Sequence, residues 1–335
     1  MTNNNSGEQK TPSGVELHSR TRTLLAYLNK NLCGKEEAIR LSLLSAVAGE
    51  SILLLGQPGR DKSLVSRCIA SAFRDFYPEW RFGLANSGYS EYFMNGTENG
   101  TEFPDDPKIL FLDDIWSGSP AVLNKLLKIM NKEEGSVIRT FVIAGSSEAD
   151  PYKAAEEKKF EALRESFALH VAVKPITNDE DFFTFVSSSD SRPQPDEEAK
   201  AALLAFDEIK YWQPLIDQVE LGEEARNVIS EIRRKCFDYY VSDSRWKKIV
   251  RILKTCAFLN GRSEVDLMDC SLIDYAIPHR FVEEILKQHA IDCKLDGRQH
   301  VQYKMNIFAR QKYYEILKAS IDDTKLKLEH KDELY

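Results

Sequence analysis

The stretch Ser51-Ile52-Leu53-Leu54-Leu55-Gly56-Gln57-Pro58-Gly59-Arg60-Asp61-Lys62-Ser63 decides the reading of this chain. It opens on a short continuous apolar run, passes through turn formers, and leads into the helically spaced Leu64–Phe73. Such a run predicts a strand buried on both faces that turns directly into a helix. The octet Gly56 to Ser63 matches G-x-x-x-x-G-K-[ST] at its first glycine, its lysine and its serine, with Asp61 in place of the second glycine. Glycine lets the backbone approach a phosphate, and successive amides at a helix N-terminus form an anion cradle. Lys62 would then reach the β- and γ-phosphates, and the Ser63 hydroxyl would bind Mg2+. Asp61 suits a helix start but repels phosphate, so the alternative is a capped turn before a helix.

Further along, Ile109-Leu110-Phe111-Leu112 is a second buried-strand candidate, and it ends in Asp113-Asp114. An apolar strand closing on two acids supplies one carboxylate for a Mg2+ shell, Asp113, and one to polarise an attacking water, Asp114. A solvated acidic turn is the alternative there. Thr140-Phe141-Val142-Ile143-Ala144 and Leu169-His170-Val171-Ala172-Val173 complete the strands. Alternation with helical stretches over Val15–Asn31, Glu36–Ala48 and Leu64–Phe73 predicts a parallel α/β sheet. Ser187 to Glu197 is Pro/Ser-rich and reads as a linker. The rest lacks strand-like runs and reads as helical, with breaks near Pro214, Gly222, Gly261, Pro278 and Gly297. The expected organisation is a disordered 1–14, an α/β nucleotide-binding domain over 15–186, a linker over 187–197, an α-helical domain over 198–290 and a helical extension over 291–335.

The chain has 335 residues, with 45 Lys+Arg against 53 Asp+Glu and a formal charge of −8. That balance argues against broad nucleic-acid or anionic-membrane binding, so Arg233-Arg234-Lys235 and Arg245–Lys248 read as solvated basic faces. No apolar run approaches the roughly 20 residues of a membrane span. Met1–Lys10 is polar and reads as no signal peptide. The cysteines show no C-x-x-C pair, which points to reduced thiols and a cytoplasmic protein. The histidines lack metal-ligand spacing, and His170, inside an apolar strand, reads as a satisfied core residue. Met305 to Leu328 carries apolar residues at helical spacing through Ile307, Phe308, Ile316 and Ile321. Asn95-Gly96-Thr97 and Asn99-Gly100-Thr101 read as Asn-Gly turns.

Several runs together resemble a known family. Ala38–Ala46, Gly49-Glu50-Ser51 and Leu53–Gly56 are similar to the MoxR branch of AAA+ ATPases, nearest its regulatory ATPase variant A type. Asp113-Asp114-Ile115-Trp116 with Pro120–Asn124 resembles that group's acidic strand end and following helix. Tyr240-Val241-Ser242-Asp243-Ser244-Arg245-Trp246-Lys247-Lys248, Ala257-Phe258 and Gly261-Arg262-Ser263 resemble its second domain. The likeness spans roughly 15–320. It implies a P-loop NTPase (AAA+) parallel sheet core, an all-α lid domain with C-terminal helices, and ATP/ADP with Mg2+ as ligands. It also implies a homo-oligomer forming a hexameric ring, a chaperone-like remodelling role and a von Willebrand factor A-domain protein as partner. The nucleotide-binding set is then Leu32, Cys33 and Gly34 near the adenine, with Gly56, Gln57, Pro58, Gly59, Arg60, Asp61, Lys62, Ser63 and Leu64 around the phosphates. Ser63 and Asp113 hold the metal.

The chain departs from that pattern where catalysis is decided. Asp61 replaces a small residue, and Asp114 replaces the usual Glu, one methylene shorter; misplacement on the order of 1 Å can cost about a hundredfold in rate. Ser147 falls where the polar sensor is normally Asn. Ser166 occupies the expected arginine-finger position and Ser244 that of the lid sensor, with Arg164 and Arg245 nearby as substitutes. A finger arginine is worth roughly 10³–10⁵ in rate. Arg164 and Arg245 otherwise read as solvated surface arginines. The expected catalytic set is Asp114, Ser147, Arg164 and Arg245. Nucleotide binding with slow hydrolysis is the expectation, and a degenerate nucleotide-binding scaffold or switch is the alternative.

Overall fold

The computed structural model describes residues 13–30, 32–59, 61–74, 83–84, 109–117, 120–130, 141–147, 158–187, 194–236, 241–277, 280–295, 306–309, 311–315 and 318. Arg60, the Asn-Gly turns at 95–101, and Ile316 and Ile321 lie outside the described residues. In chain order the elements are α1 Gly14–Leu28, α2 Glu36–Ala48, β1 Ile52–Leu55, α3 Lys62–Ala70, β2 Gly83–Leu84, β3 Ile109–Asp113 and α4 Pro120–Met130. Next come β4 Phe141–Ser146, α5 Lys158–Ser166, β5 Leu169–Ala172, α6 Asp179–Ser187, α7 Glu197–Ala202, α8 Phe206–Asp217 and β6 Glu220–Leu221. The last are α9 Glu223–Lys235, α10 Asp243–Leu259, β7 Glu264–Val265, α11 Leu267–Cys270, α12 Ile273–Ala276 and α13 Arg280–Leu295.

The five main strands form one parallel sheet in the order β2-β3-β4-β1-β5. Successive strand residues point to opposite faces. Ile52, Leu54, Phe111, Phe141, Ile143, Leu169 and Val171 therefore enter one apolar cluster, while Leu53, Leu55, Leu112, Val142 and Ala144 enter another. The second cluster is closed by Leu123 and Leu126 of α4 and Leu163 of α5. The first continues through α2, buried along nearly its whole circumference, into α10 and the helical half. The two halves thus share one core, and α2 is its middle layer.

Local signals set the helix ends. Ser13 and Glu16 cap α1 reciprocally, the Ser13 hydroxyl accepting from the Glu16 amide at 3.3 Å and the Glu16 carboxylate from the Ser13 amide at 2.9 Å. Gly14 and Gly261 meet backbone to backbone, where a Cβ on Gly14 would lie 2.8 Å from Gly261 Cα. That close approach joins α1 to the turn after α10. Arg20 forks onto Glu208 at 2.8 and 2.9 Å and also donates to the carbonyls of Ala202 and Leu203, fastening the chain where it enters the helical half.

Three expectations are corrected. Pro214 does not break the chain: α8 runs through it to Asp217. Its neighbours Trp212, 2% exposed, and Gln213, which donates to Val47 O at 2.7 Å, are fixed by tertiary packing that outweighs the proline cost of about 3 kcal/mol. The helical half is not free of strands, since β6 and β7 form a two-residue parallel pair. Residues 306–309 are a turn and not part of a helix. Asn306 opens a turn, its side-chain oxygen accepting from the amides of Phe308 and Ala309, and helix resumes at 311. Among the described residues no helix is long and apolar enough to cross a membrane, and Cys33, Cys68, Cys236, Cys256 and Cys270 are free thiols.

Candidate functional site

The chain leaves β1 at Leu55 and climbs through the loop to α3. Gly56 N donates to Ser146 O at 3.0 Å, which ties the loop's base to β4. Gln57, Pro58 and Gly59 are exposed. Gly59, with φ 79°, and Asp61, with φ 58°, both sit in the left-handed region. That geometry is why the pattern calls for glycine at position 61; aspartate is among the few residues that tolerate it. The Asp61 side chain does not cap α3. Instead Oδ2 lies 3.6 Å from Lys35 Nζ.

Lys62 is 5% exposed, and its ammonium is folded into the loop, donating to Gly56 O at 2.7 Å and Gln57 O at 3.3 Å. Ser63 and Leu64 follow on the first turn of α3, both half-buried. Because β4 lies between β1 and β3, Lys62 and Asp113 must approach each other across it. Gly145 makes that possible. A Cβ there would stand 2.5 Å from Asp113 Oδ1 and 3.1 Å from Lys62 Cε. In the sequence the sign of this role is slight: a glycine inside an apolar strand run marks a close approach.

Asp114 takes a left-handed backbone, φ 48°, which turns the chain sharply out of β3. Its amide donates to Asp113 Oδ1 at 3.0 Å, and the exposed Ser147 donates to Asp114 Oδ1 at 3.4 Å. Trp116, whose Nε1 donates to Ser146 Oγ at 2.9 Å, binds the same two strand ends together. Lys62, Asp113, Asp114 and Ser147 therefore share the carboxyl edge of the sheet, the edge where open α/β sheets place their ligands.

The Leu32-Cys33-Gly34 segment reaches this edge from the other side. Leu32 is buried in the core, and Gly34, φ 75°, packs against Ile176, whose Cγ1 would lie 3.1 Å from an added Cβ. The Cys33 thiol has its pKa raised by burial and by the carboxylates of Asp181 and Glu36, which keeps it protonated. Lys35, next in the chain, donates to Lys174 O at 2.9 Å and faces Asp61.

Arg164 and Arg245 lie elsewhere, and neither is a solvated surface arginine. Arg245 is 2% exposed and pairs with Glu165 at 2.9 Å, while donating to Arg164 O at 3.2 Å and Ala276 O at 2.7 Å. Lys248 donates to Ser166 O at 3.0 Å, and the Ser242 hydroxyl to Glu165. Arg245 and Lys248 therefore bring two cations from α10 to the C-terminal end of α5, where Arg164 already lies, and Arg245 also ties that end to α12. The buried His170 faces this joint. Burial, then the charges of Arg245 and Arg164, drives its pKa well below the ordinary value, and neither ring nitrogen closes a good hydrogen bond. It is a core residue but not a satisfied one. Among the described residues no group of three or more His, Cys, Asp or Glu side chains gathers for a metal.

A parallel sheet in this order, a lysine-serine loop after β1, an acid at the end of β3 with β4 between them, and a helical domain behind fit an AAA+ fold with a helical lid. Residues 224–288 match the family described as the AAA lid domain. The chain is 25% identical over 277 residues to the uncharacterized protein MJ0079 of Methanocaldococcus jannaschii, covering 77% of this chain and 70% of that one. It is 24% identical over 327 residues to MJ0812 of the same organism, covering 89% and 82%. Among solved structures it is similar to a candidate ATPase from Cytophaga hutchinsonii, with a TM-score of 0.53, 16% identity and coverage of 91% of this chain and 95% of that one. That last likeness is one of fold.

Proposed function

We propose that the chain is a nucleotide-binding AAA+ protein of MoxR type that hydrolyses ATP slowly and remodels a protein client in an oligomeric ring. The observation that carries the reading is the convergence of Lys62 and Asp113 over the bare backbone of Gly145. Lys62 would exchange the carbonyls of Gly56 and Gln57 for phosphate oxygens, replacing neutral partners by charged ones. Ser63 and Asp113 are the residues that would hold Mg2+, whose charge when bound offsets that of the phosphates. Asp114, oriented by Ser147, would hold the attacking water from one methylene further back than the family's Glu, and slow turnover follows from that setback. A ring, and a von Willebrand factor A-domain protein beside it, rest on the resemblance alone.

A specific observation favours a second reading, a nucleotide-dependent switch without useful turnover. Arg245 spends its guanidinium on Glu165 and two carbonyls, and the Ser166 hydroxyl donates to Ala162 O in its own helix at 2.8 Å. Calorimetry with Mg-ATP and Mg-ADP, alongside phosphate release, separates the readings. The enzyme reading expects binding and slow release, both falling to background in Lys62→Ala. Binding without release at saturating Mg-ATP leaves the switch, and an absence of binding defeats both.

A further inference from the structure

Asp61 brings a negative charge into a loop built to receive anions, and Lys35 answers it. The Asp61 carboxylate makes no capping hydrogen bond to α3 and points at the Lys35 ammonium, 3.6 Å away. Lys35 is held from both ends. Its amide donates to Leu32 O at 3.2 Å, its carbonyl accepts from Ile39 N at 3.0 Å, and its ammonium donates to Lys174 O at 2.9 Å. The residue is 3% exposed, and among the described residues Asp61 is the carboxylate within ion-pair reach of it. A buried ammonium with one carbonyl for company is costly. A lone carboxylate beside incoming phosphates repels them. Each residue removes the other's problem.

We propose that Lys35 is the positioning residue that lets this loop bind a nucleoside di- or triphosphate in spite of Asp61. Its ammonium cancels the Asp61 charge and turns that side chain away from the cradle. Because Lys35 directly follows the Leu32–Gly34 segment, the pair also fastens that segment to the phosphate loop. The inference rests on the nucleotide-binding reading above.

Calorimetric titration of the full chain with Mg-ADP and Mg-ATP tests it, using wild type, Lys35→Met, Asp61→Asn and the double variant. Lys35→Met exposes the Asp61 charge, so the expected Kd rises about tenfold, with the loss shrinking as salt is raised. The double variant returns to within about threefold of wild type, because it removes the charge that Lys35 answers. A double variant as weak as Lys35→Met, or a defect indifferent to salt, overturns the proposal. Thermal melts report whether each variant folds. If Lys35→Met does not, the Asp61→Asn arm decides: a tenfold gain there means the charge was never cancelled, and the proposal fails. Absence of binding by both wild type and Asp61→Asn sinks the nucleotide reading and this inference with it. Binding by wild type with additive variants sinks this inference alone.

Discussion

Two polar constellations in this molecule are built on opposite principles. In the lid, Arg262 forks onto Asp269 at 2.8 and 2.6 Å, pairs with Asp266 at 2.9 Å and donates to Glu264 O at 3.2 Å. Asn306 adds a donor to Asp269 at 2.9 Å, and Asp266 and Asp269 exchange backbone-to-side-chain bonds. Asp269 is wholly buried and its oxygens are saturated. At the sheet edge the charges are placed rather than satisfied. Lys62 rests on two carbonyls, Asp113 accepts from the amide next to it, and the loop over them is exposed. Saturated buried networks hold a fold, whereas converging charges with spare capacity at a strand edge are what the proposed nucleotide site would draw on.

The sharpest way to break this comparison is Arg262→Ala. It leaves Asp269 as an uncompensated buried carboxylate, and loss of a buried pair costs about 3–5 kcal/mol. Urea denaturation is expected to show that loss, while nucleotide affinity of the folded fraction stays near wild type. An intact fold with lost affinity would instead place the lid network in the site.

Gly145→Ala reverses the pattern. Its methyl group would meet the Asp113 carboxylate at 2.5 Å and the Lys62 stem at 3.1 Å. One of the two charges must then move, and nucleotide affinity is expected to fall about tenfold, or roughly 1.4 kcal/mol. The unfolding midpoint should change less than in Arg262→Ala. Unchanged affinity by calorimetry would show that Lys62 and Asp113 do not act on one ligand.

How much of this was legible depended on how local each cause is. β1, the loop and α3 could be read in order because a strand buried on both faces is written as a continuous apolar run, and the following turn is dense with Gly and Pro. Lys62, Ser63, Asp113 and Asp114 came with those runs. Gly145 was missed because its role depends on β4 lying between β1 and β3, and strand order is set by packing rather than by any short stretch. Lys35 was missed for the same reason, since its partner sits beyond α2 and β1. Arg245 looked like one member of an exposed basic run, yet with Lys248 it reaches from α10 to the end of α5. Pro214 looked like a stop until Trp212 and Gln213 were seen to be pinned. The β6–β7 pair is too short to show any period.

The smallest expected effect lies within the lid network, and it sharpens the contrast through pH. Asp266 shares Arg262 with Asp269, and burial together with the Asp269 charge pushes its pKa up to about 6. In the unfolded chain the same carboxyl titrates near 3.9. Between about pH 4 and pH 6 the native state therefore binds more protons than the unfolded state, so this group's contribution to stability falls as pH rises through that window and is level above it. Asp266→Asn removes the titration and keeps an N-cap acceptor for α11, so it serves as the reference. Wild type is expected to gain about 1 kcal/mol relative to Asp266→Asn when urea unfolding is moved from pH 7 to pH 5. The opposite slope would mean that Arg262 favours the charged form of Asp266 by more than burial and Asp269 oppose it.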